Sequence, residues 1–274
     1  MTTYKEIRGT NIEAVASDPS NPVEGQVWYN TTTNVVKGLI INPGSWATVN
    51  SMNTAREELA GCGIASAALA FGGVASGTRL RNTESYNGTN WTEVNDLNTE
   101  RSLLAGAGTT TSALAFGGNA PPTGRAETEL WNGTNWTEVN DLNTGRERLA
   151  GAGANNTAAL AIGGEVPAGP TVAITELWNG TNWTEVNDLN TAIQFFAAVG
   201  TTTAALAFGG EPPATDKTET WNGTNWTEVN DLNTARSKLA GAGTTTSALA
   251  FGGTPIASKL SLIHISEPTR LGFI

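Results

Sequence analysis

Asn87–Thr99 reads NGTNWTEVNDLNT, and the same residues return unchanged from Asn132, Asn179 and Asn222. A degenerate copy, GSWATVNSMNT, puts Trp46 where the verbatim copies have Trp91, Trp136, Trp183 and Trp226, so successive tryptophans stand 45, 45, 47 and 43 residues apart. A second anchor keeps step: Phe71, Phe116, Ile162, Phe208 and Phe251 each precede a glycine pair, namely Gly72 and Gly73, Gly117 and Gly118, Gly163 and Gly164, Gly209 and Gly210, and Gly252 and Gly253. A period in the forties with two anchors in register marks one supersecondary unit per repeat, which buries its apolar face only against its neighbours.

Within a unit the local signals are those of strands. SALAFGG and AALAIGG are short apolar runs closed by glycines that permit positive φ. TELWNGTNWTEV places Asn-Gly between two strand-like runs, a strong hairpin signal because both residues tolerate positive φ. Each unit is therefore expected to hold four strands, LAGAG, SALAFGG, TELWN and NWTEV. Four short antiparallel strands per repeat of this length describe the blade of a β-propeller, whereas a helical solenoid needs 3.6-residue periodicity and less glycine and threonine.

The order double glycine, aromatic, Trp five residues later, then Asn-Thr-x-Arg resembles the kelch repeat, over about Ile41 to Gly253. The resemblance implies an all-β fold, a β-propeller of kelch-like four-stranded blades, with five blades in this chain and six or more if the gene is truncated. The arginines of the pattern are Arg56, Arg101, Arg146 and Arg236; the fourth unit has Ile193 instead, and different packing is expected there.

Upstream, NPVEGQVWYNTTTNVVKGLIINPGSW resembles a motif found near the start of bacteriophage tail and fibre proteins, in which glycine, an aromatic pair and a Thr-Asn turn make a hairpin. Ile41 precedes Trp46 by five residues as Tyr86 precedes Trp91, so this segment is expected to supply outer strands to a last blade that has only two of its own. LSLIHISEPTR, Leu260 to Arg270, breaks every repeat rule and resembles a translated sequencing adapter. The expected organisation is residues 1–25 as an N-terminal segment, 26–259 as the propeller and 260–274 as a non-native tail outside the fold.

Composition excludes several functions. The net charge of −10, from 25 acidic and 15 basic residues, offers no footprint for a nucleic-acid backbone. Charged residues are 15% of the chain against about 25% in average domains. One cysteine excludes a disulfide framework or thiolate metal site, and the single histidine, His264, lies in the adapter-like tail. No apolar run approaches the roughly 18 residues of a membrane span, and MTTYKEIRGTNIEAVASDPS lacks the apolar core of a signal peptide.

The repeating tryptophans, with Tyr86, Trp131, Trp178 and Trp221, suit a sugar-stacking surface or an inter-blade core; their recurrence with identical neighbours favours core. Glu84, Glu129, Glu176 and Glu219 lie two residues before those aromatics, on the same strand face. They suggest glycosidase carboxylates, or else partners for the Asn-Thr-x-Arg arginines, and pairing is favoured. Asp96, Asp141, Asp188 and Asp231 stand in Asn-Asp-Leu-Asn and read as turn formers rather than calcium ligands. Cys62 occupies a position held by Ala107, Ala152, Val199 and Ala242, where a small buried hydrophobe is expected.

The loops after the double glycines differ between otherwise near-identical copies: VASGTRLRNT, NAPPTGRAET, EVPAGPTVAIT and EPPATDKT. Variable loops on a rigid scaffold commonly carry binding. Their charged residues Arg79, Arg81, Arg125, Glu165, Glu211, Asp216 and Lys217 are the candidate ligand-binding set, with unconstrained drift as the alternative. The expected function is a non-enzymatic, tail-associated phage virion module for structure or host recognition. No catalytic residue, metal or cofactor is expected. Its partner would be a protein, a cell-surface glycan or another virion protein, and nucleic acid and membrane insertion are not expected. It would be made in the host cytoplasm and reside in the virion or outside the cell. A cellular kelch-type binding module is the alternative, and a propeller hydrolase the third reading.

Overall fold

A computed structural model describes residues 13–19, 27–38, 47–120 and 123–254, together with the backbone of 261–263. Two compact units divide at Val49/Asn50.

In the N-terminal unit Val27–Asn30 and Val35–Gly38 form the expected antiparallel hairpin, and Glu13–Val15 adds to it in parallel. Its polar pins are specific. Asp18 Oδ1 accepts from the indole Nε1 of buried Trp28 at 3.0 Å and from Asn30 Nδ2 at 2.8 Å, while Asn30 Oδ1 takes the N–H groups of Thr32 and Thr33 at the turn. These bonds tie Asp18 to the Val27–Gly38 hairpin within the first compact unit. Trp46 and Ile41, expected to enter a blade, lie outside the described residues.

The second unit holds no helix among the described residues and repeats one antiparallel sheet. In the first sheet the strands are Ala60–Ile64, Ala67–Phe71, Thr83–Tyr86 and Trp91–Val94, hydrogen-bonded in chain order. The second to fourth sheets repeat this, beginning with Ala105–Thr109, Ala150–Asn155 and Ala197–Gly200. The fifth pairs Ser237–Thr244 with Ser247–Thr254. Its third strand is Ser261–Ile263, in register Ala248↔Ile263, the place that Ala113↔Trp131 holds in the second sheet. The adapter-like tail, set outside the fold on its sequence, thus contributes backbone pairing: a ladder needs only N–H and C=O groups, which any non-proline residue brings.

The cores lie between sheets. Ser112–Phe116 alternates small and large side chains, and each kind faces one way. Ala113 and Ala115, with Trp131 and Trp136, pack on Leu69 and Phe71 of the preceding sheet. Leu114 and Phe116 pack on Ala159, Ala161, Trp178 and Trp183 of the next. The same scheme gives the cores between the third and fourth and the fourth and fifth sheets. The repeated tryptophans seal these interfaces. Trp136 Nε1 donates to Thr83 Oγ1 of the preceding sheet at 3.0 Å, Trp183 to Thr128 at 2.9 Å and Trp226 to Thr175 at 3.1 Å. Rings buried to this degree offer no stacking face to a sugar.

Buried ion pairs hold each sheet to the segment that enters it. Arg56 meets Glu84 at 3.2 Å, Arg101 meets Glu129 at 2.8 Å and Arg146 meets Glu176 at 3.1 Å, with all six side chains at most 1% exposed. Burial pushes these three guanidinium pKa values down, opposed first by the paired glutamate. Each glutamate also accepts the backbone N–H of the Asn in Asn-Thr-x-Arg, at 2.6 to 2.7 Å. In the fourth sheet, where Ile193 replaces arginine, Glu219 accepts from Asn190 N, Asn190 Nδ2 and Thr191 N but has no arginine partner among the described residues. The aspartates of Asn-Asp-Leu-Asn take backbone N–H groups: Asp96 from Thr83 at 3.1 Å, Asp188 from Thr175 at 3.0 Å.

Candidate functional site

Two residues past each anchoring arginine, or past Ile193, the backbone turns to positive φ at a residue that is not glycine: Glu58 (55°), Leu103 (55°), Arg148 (58°), Phe195 (52°) and Lys238 (56°). The intervening residue bridges to the one after the double glycine, as in Glu57↔Val74, Ser102↔Asn119, Glu147↔Glu165 and Gln194↔Glu211. This clamps the positive-φ residue beside the variable loop. Successive sheets are stitched at the same level: Leu103 N donates to Glu58 O at 2.9 Å, Arg148 N to Leu103 O at 2.9 Å, Phe195 N to Arg148 O at 3.1 Å and Lys238 N to Phe195 O at 2.7 Å.

All five residues line one pocket of about 540 Å³. Beneath them lies an apolar floor of Leu59, Leu104, Leu149, Phe196 and Leu239, one from each sheet, and Glu57 completes the mouth. The volume is that of a small-ligand or side-chain site.

The charges at the mouth differ in how far they are already paired. Arg148 Nη2 lies 3.3 Å from Glu147 Oε1, its Nη1 meets Glu165, and its guanidinium sits 4.9 Å from the centroid of Phe195. The Lys238 ammonium lies 5.1 Å from the same ring and has no acidic partner among the described residues. Glu57 and Glu58, both exposed, have no cationic partner among the described residues. In the described residues no group of three potential metal-ligating His, Cys, Asp or Glu side chains occurs.

Of the seven loop residues singled out from sequence, none lines the pocket, but three belong to its supporting frame. Arg79 donates to Asn119, whose Nδ2 donates to Glu147; Glu165 pairs with Arg148; Glu211 Oε2 accepts from Ser237 Oγ at 2.7 Å. The other four lie in the segments that lead into the third strand of their sheets. Arg125 pairs with Glu127 at 2.9 Å, and Lys217 with Glu228 at 3.0 Å on an exposed outer strand, a contact that raises the lysine's pKa. Arg81 and Asp216 use their carbonyls to accept from Leu97 and Leu232. The lining residues carry their own sequence signal. Aligned on Arg-x, or Ile-x in the fourth unit, the next column reads Glu, Leu, Arg, Phe, Lys, and the column after it holds only leucine and phenylalanine.

Compared with known family models and with curated proteins, the chain matches none.

Proposed function

We propose that this chain is a non-enzymatic recognition module: a kelch-like propeller of five blades, carried on a phage virion as a tail-associated protein, which holds a partner protein or cell-surface glycan at the pocket mouth. One observation carries the reading. Five side chains of five kinds are held at positive φ around a single pocket, in a chain with 32 glycines to spare. A non-glycine residue in the left-handed region costs about 1–2 kcal/mol, and such strain clusters at binding and catalytic sites. Fold alone would favour glycine at every one of these positions. The side chains are there for what they touch, and one carboxylate, two cations and two apolar groups, with Glu57 beside them, suit ionic and apolar contact. The N-terminal hairpin with its Trp28-Tyr29 pair supports the tail-protein setting.

The test is adhesion. The purified chain, fluorescently labelled, is applied to a panel of bacteria that includes the host named by phage genes neighbouring the sequence. Wild-type protein is expected to stain the host, and the double substitution Leu103→Gly with Phe195→Gly is expected to abolish staining while the protein stays folded by thermal melt. Staining that survives these substitutions, or a host that never stains, overturns the proposal.

A further inference from the structure

We infer that the pocket takes a basic, apolar peptide segment of a partner protein: a bulky aliphatic side chain on the pocket floor with a lysine or arginine beside it at Glu57 and Glu58. This rests on the reading that the pocket is a recognition site, and it names what is recognised.

Three observations converge on that chemistry. The floor is wholly apolar, one leucine or phenylalanine per sheet, so it accepts a hydrocarbon group and offers a sugar none of the hydrogen bonds its hydroxyls need. The charges that remain unpaired decide the sign. Arg148 is already engaged by Glu147, Glu165 and the face of Phe195, so an incoming carboxylate would compete with two resident ones. Lys238 is the single lining cation with no acid partner among the described residues, against two such carboxylates, Glu57 and Glu58. Finally, the chain's net charge of −10 draws a cationic partner towards the mouth and repels an anionic one. Phe195, capped by Arg148 and Lys238, leaves little ring face for a ligand cation, which directs that cation to the two glutamates.

The experiment selects binders to the whole chain from a displayed random heptapeptide library and measures the winners by fluorescence anisotropy. Expected is enrichment of Lys or Arg within two residues of Leu, Ile or Met, with affinity that falls between 50 and 500 mM NaCl. Glu57→Gln with Glu58→Gln, both exposed and harmless to packing, should weaken the winners by about three- to tenfold. Lys238→Met removes the lining cation that repels a basic ligand and should raise affinity about two- to fivefold. Acidic enriched peptides, or binding lost in Lys238→Met and kept in the glutamine pair, would overturn the inference. A glycan array run in parallel separates the two levels of the reading. Glycan binding abolished by Phe195→Gly keeps the pocket as a recognition site and overturns its peptide ligand. No ligand from either source overturns both.

Discussion

The third and fourth units each depart from the others at one position, and the two positions meet across their shared interface, where a double-mutant cycle tests how the sheets are packed. In three interfaces a phenylalanine closing the second strand lies against a glycine of the next inner strand. A Cβ built at Gly106 would stand 2.5 Å from Phe71 Cζ, one at Gly151 2.9 Å from Phe116 Cζ and one at Gly241 2.6 Å from Phe208 Cζ. In the remaining interface Ile162 replaces phenylalanine and Ala198 replaces glycine, within one cluster. The smaller ring-less side chain makes room for the extra methyl. Ile162→Phe alone should therefore overpack against Ala198 and cost about 1–3 kcal/mol. Ala198→Gly alone removes a packed methyl, about 0.8 kcal/mol, and adds glycine's entropy penalty of about 0.5–1 kcal/mol. Together they rebuild the arrangement of the other three interfaces, including an edge contact with Trp226 like that of Phe71 with Trp136 at 4.9 Å and 62°. The double variant should then lie within about 1 kcal/mol of wild type, a coupling of roughly 1.3–4.8 kcal/mol. Urea unfolding followed by tryptophan fluorescence measures all four corners. Additivity of the two single effects would refute the account of complementary packing.

Three further outcomes follow from buried polar groups. Glu129→Gln strips the counter-charge from Arg101, which is fully buried, and should cost about 3–5 kcal/mol, whereas Glu219→Gln removes no arginine partner and should cost about 1–2 kcal/mol; urea midpoints compare them. Thr128→Val leaves the Trp183 indole N–H buried without its acceptor and should cost about 1–3 kcal/mol; Thr218 Oγ1 is buried with no partner among the described residues, so Thr218→Val should be neutral or stabilising in thermal melts. Burial pushes the Cys62 thiol up to about 12, and the side chain is only partly buried, so a disulfide-exchange reagent at pH 8 should label it in the folded protein, but several-fold more slowly than after unfolding.

The elements legible in the sequence are those whose side chains repeat for a packing reason. Strand alternation in Ser112–Phe116 and the Asn-Gly hairpins recur because every interface needs the same small and large faces. The pairing of Glu84, Glu129 and Glu176 with arginines was readable because both partners keep step with the repeat, and Ile193 flagged where the pairing stops. What stayed hidden rests on the backbone. Ser261–Ile263 joins the fifth sheet through N–H and C=O groups that carry no residue signature. The pocket mouth is set by the main chain in the same way. Glu58 and its counterparts are held at positive φ by main-chain bonds, so no single residue type marks the column.

That backbone fixation also explains how the mouth can vary without cost to the fold. The anchoring arginine, or Ile193, lies buried two residues before each lining residue, the floor residue packs immediately after it, and the four stitching bonds use only N–H and C=O groups. A side chain at Leu103 or Lys238 is therefore free to change as long as two conditions hold. Proline would delete the donated N–H, and a β-branched residue is an outlier at positive φ. Glu, Leu, Arg, Phe and Lys satisfy both, and valine, isoleucine and threonine, common elsewhere in these repeats, are absent from the column. Random drift constrained only by backbone geometry would also admit glycine, asparagine and aspartate, the residues that best tolerate this conformation. Their absence from all five copies accords with the proposed recognition role, in which small residues would leave the pocket mouth empty.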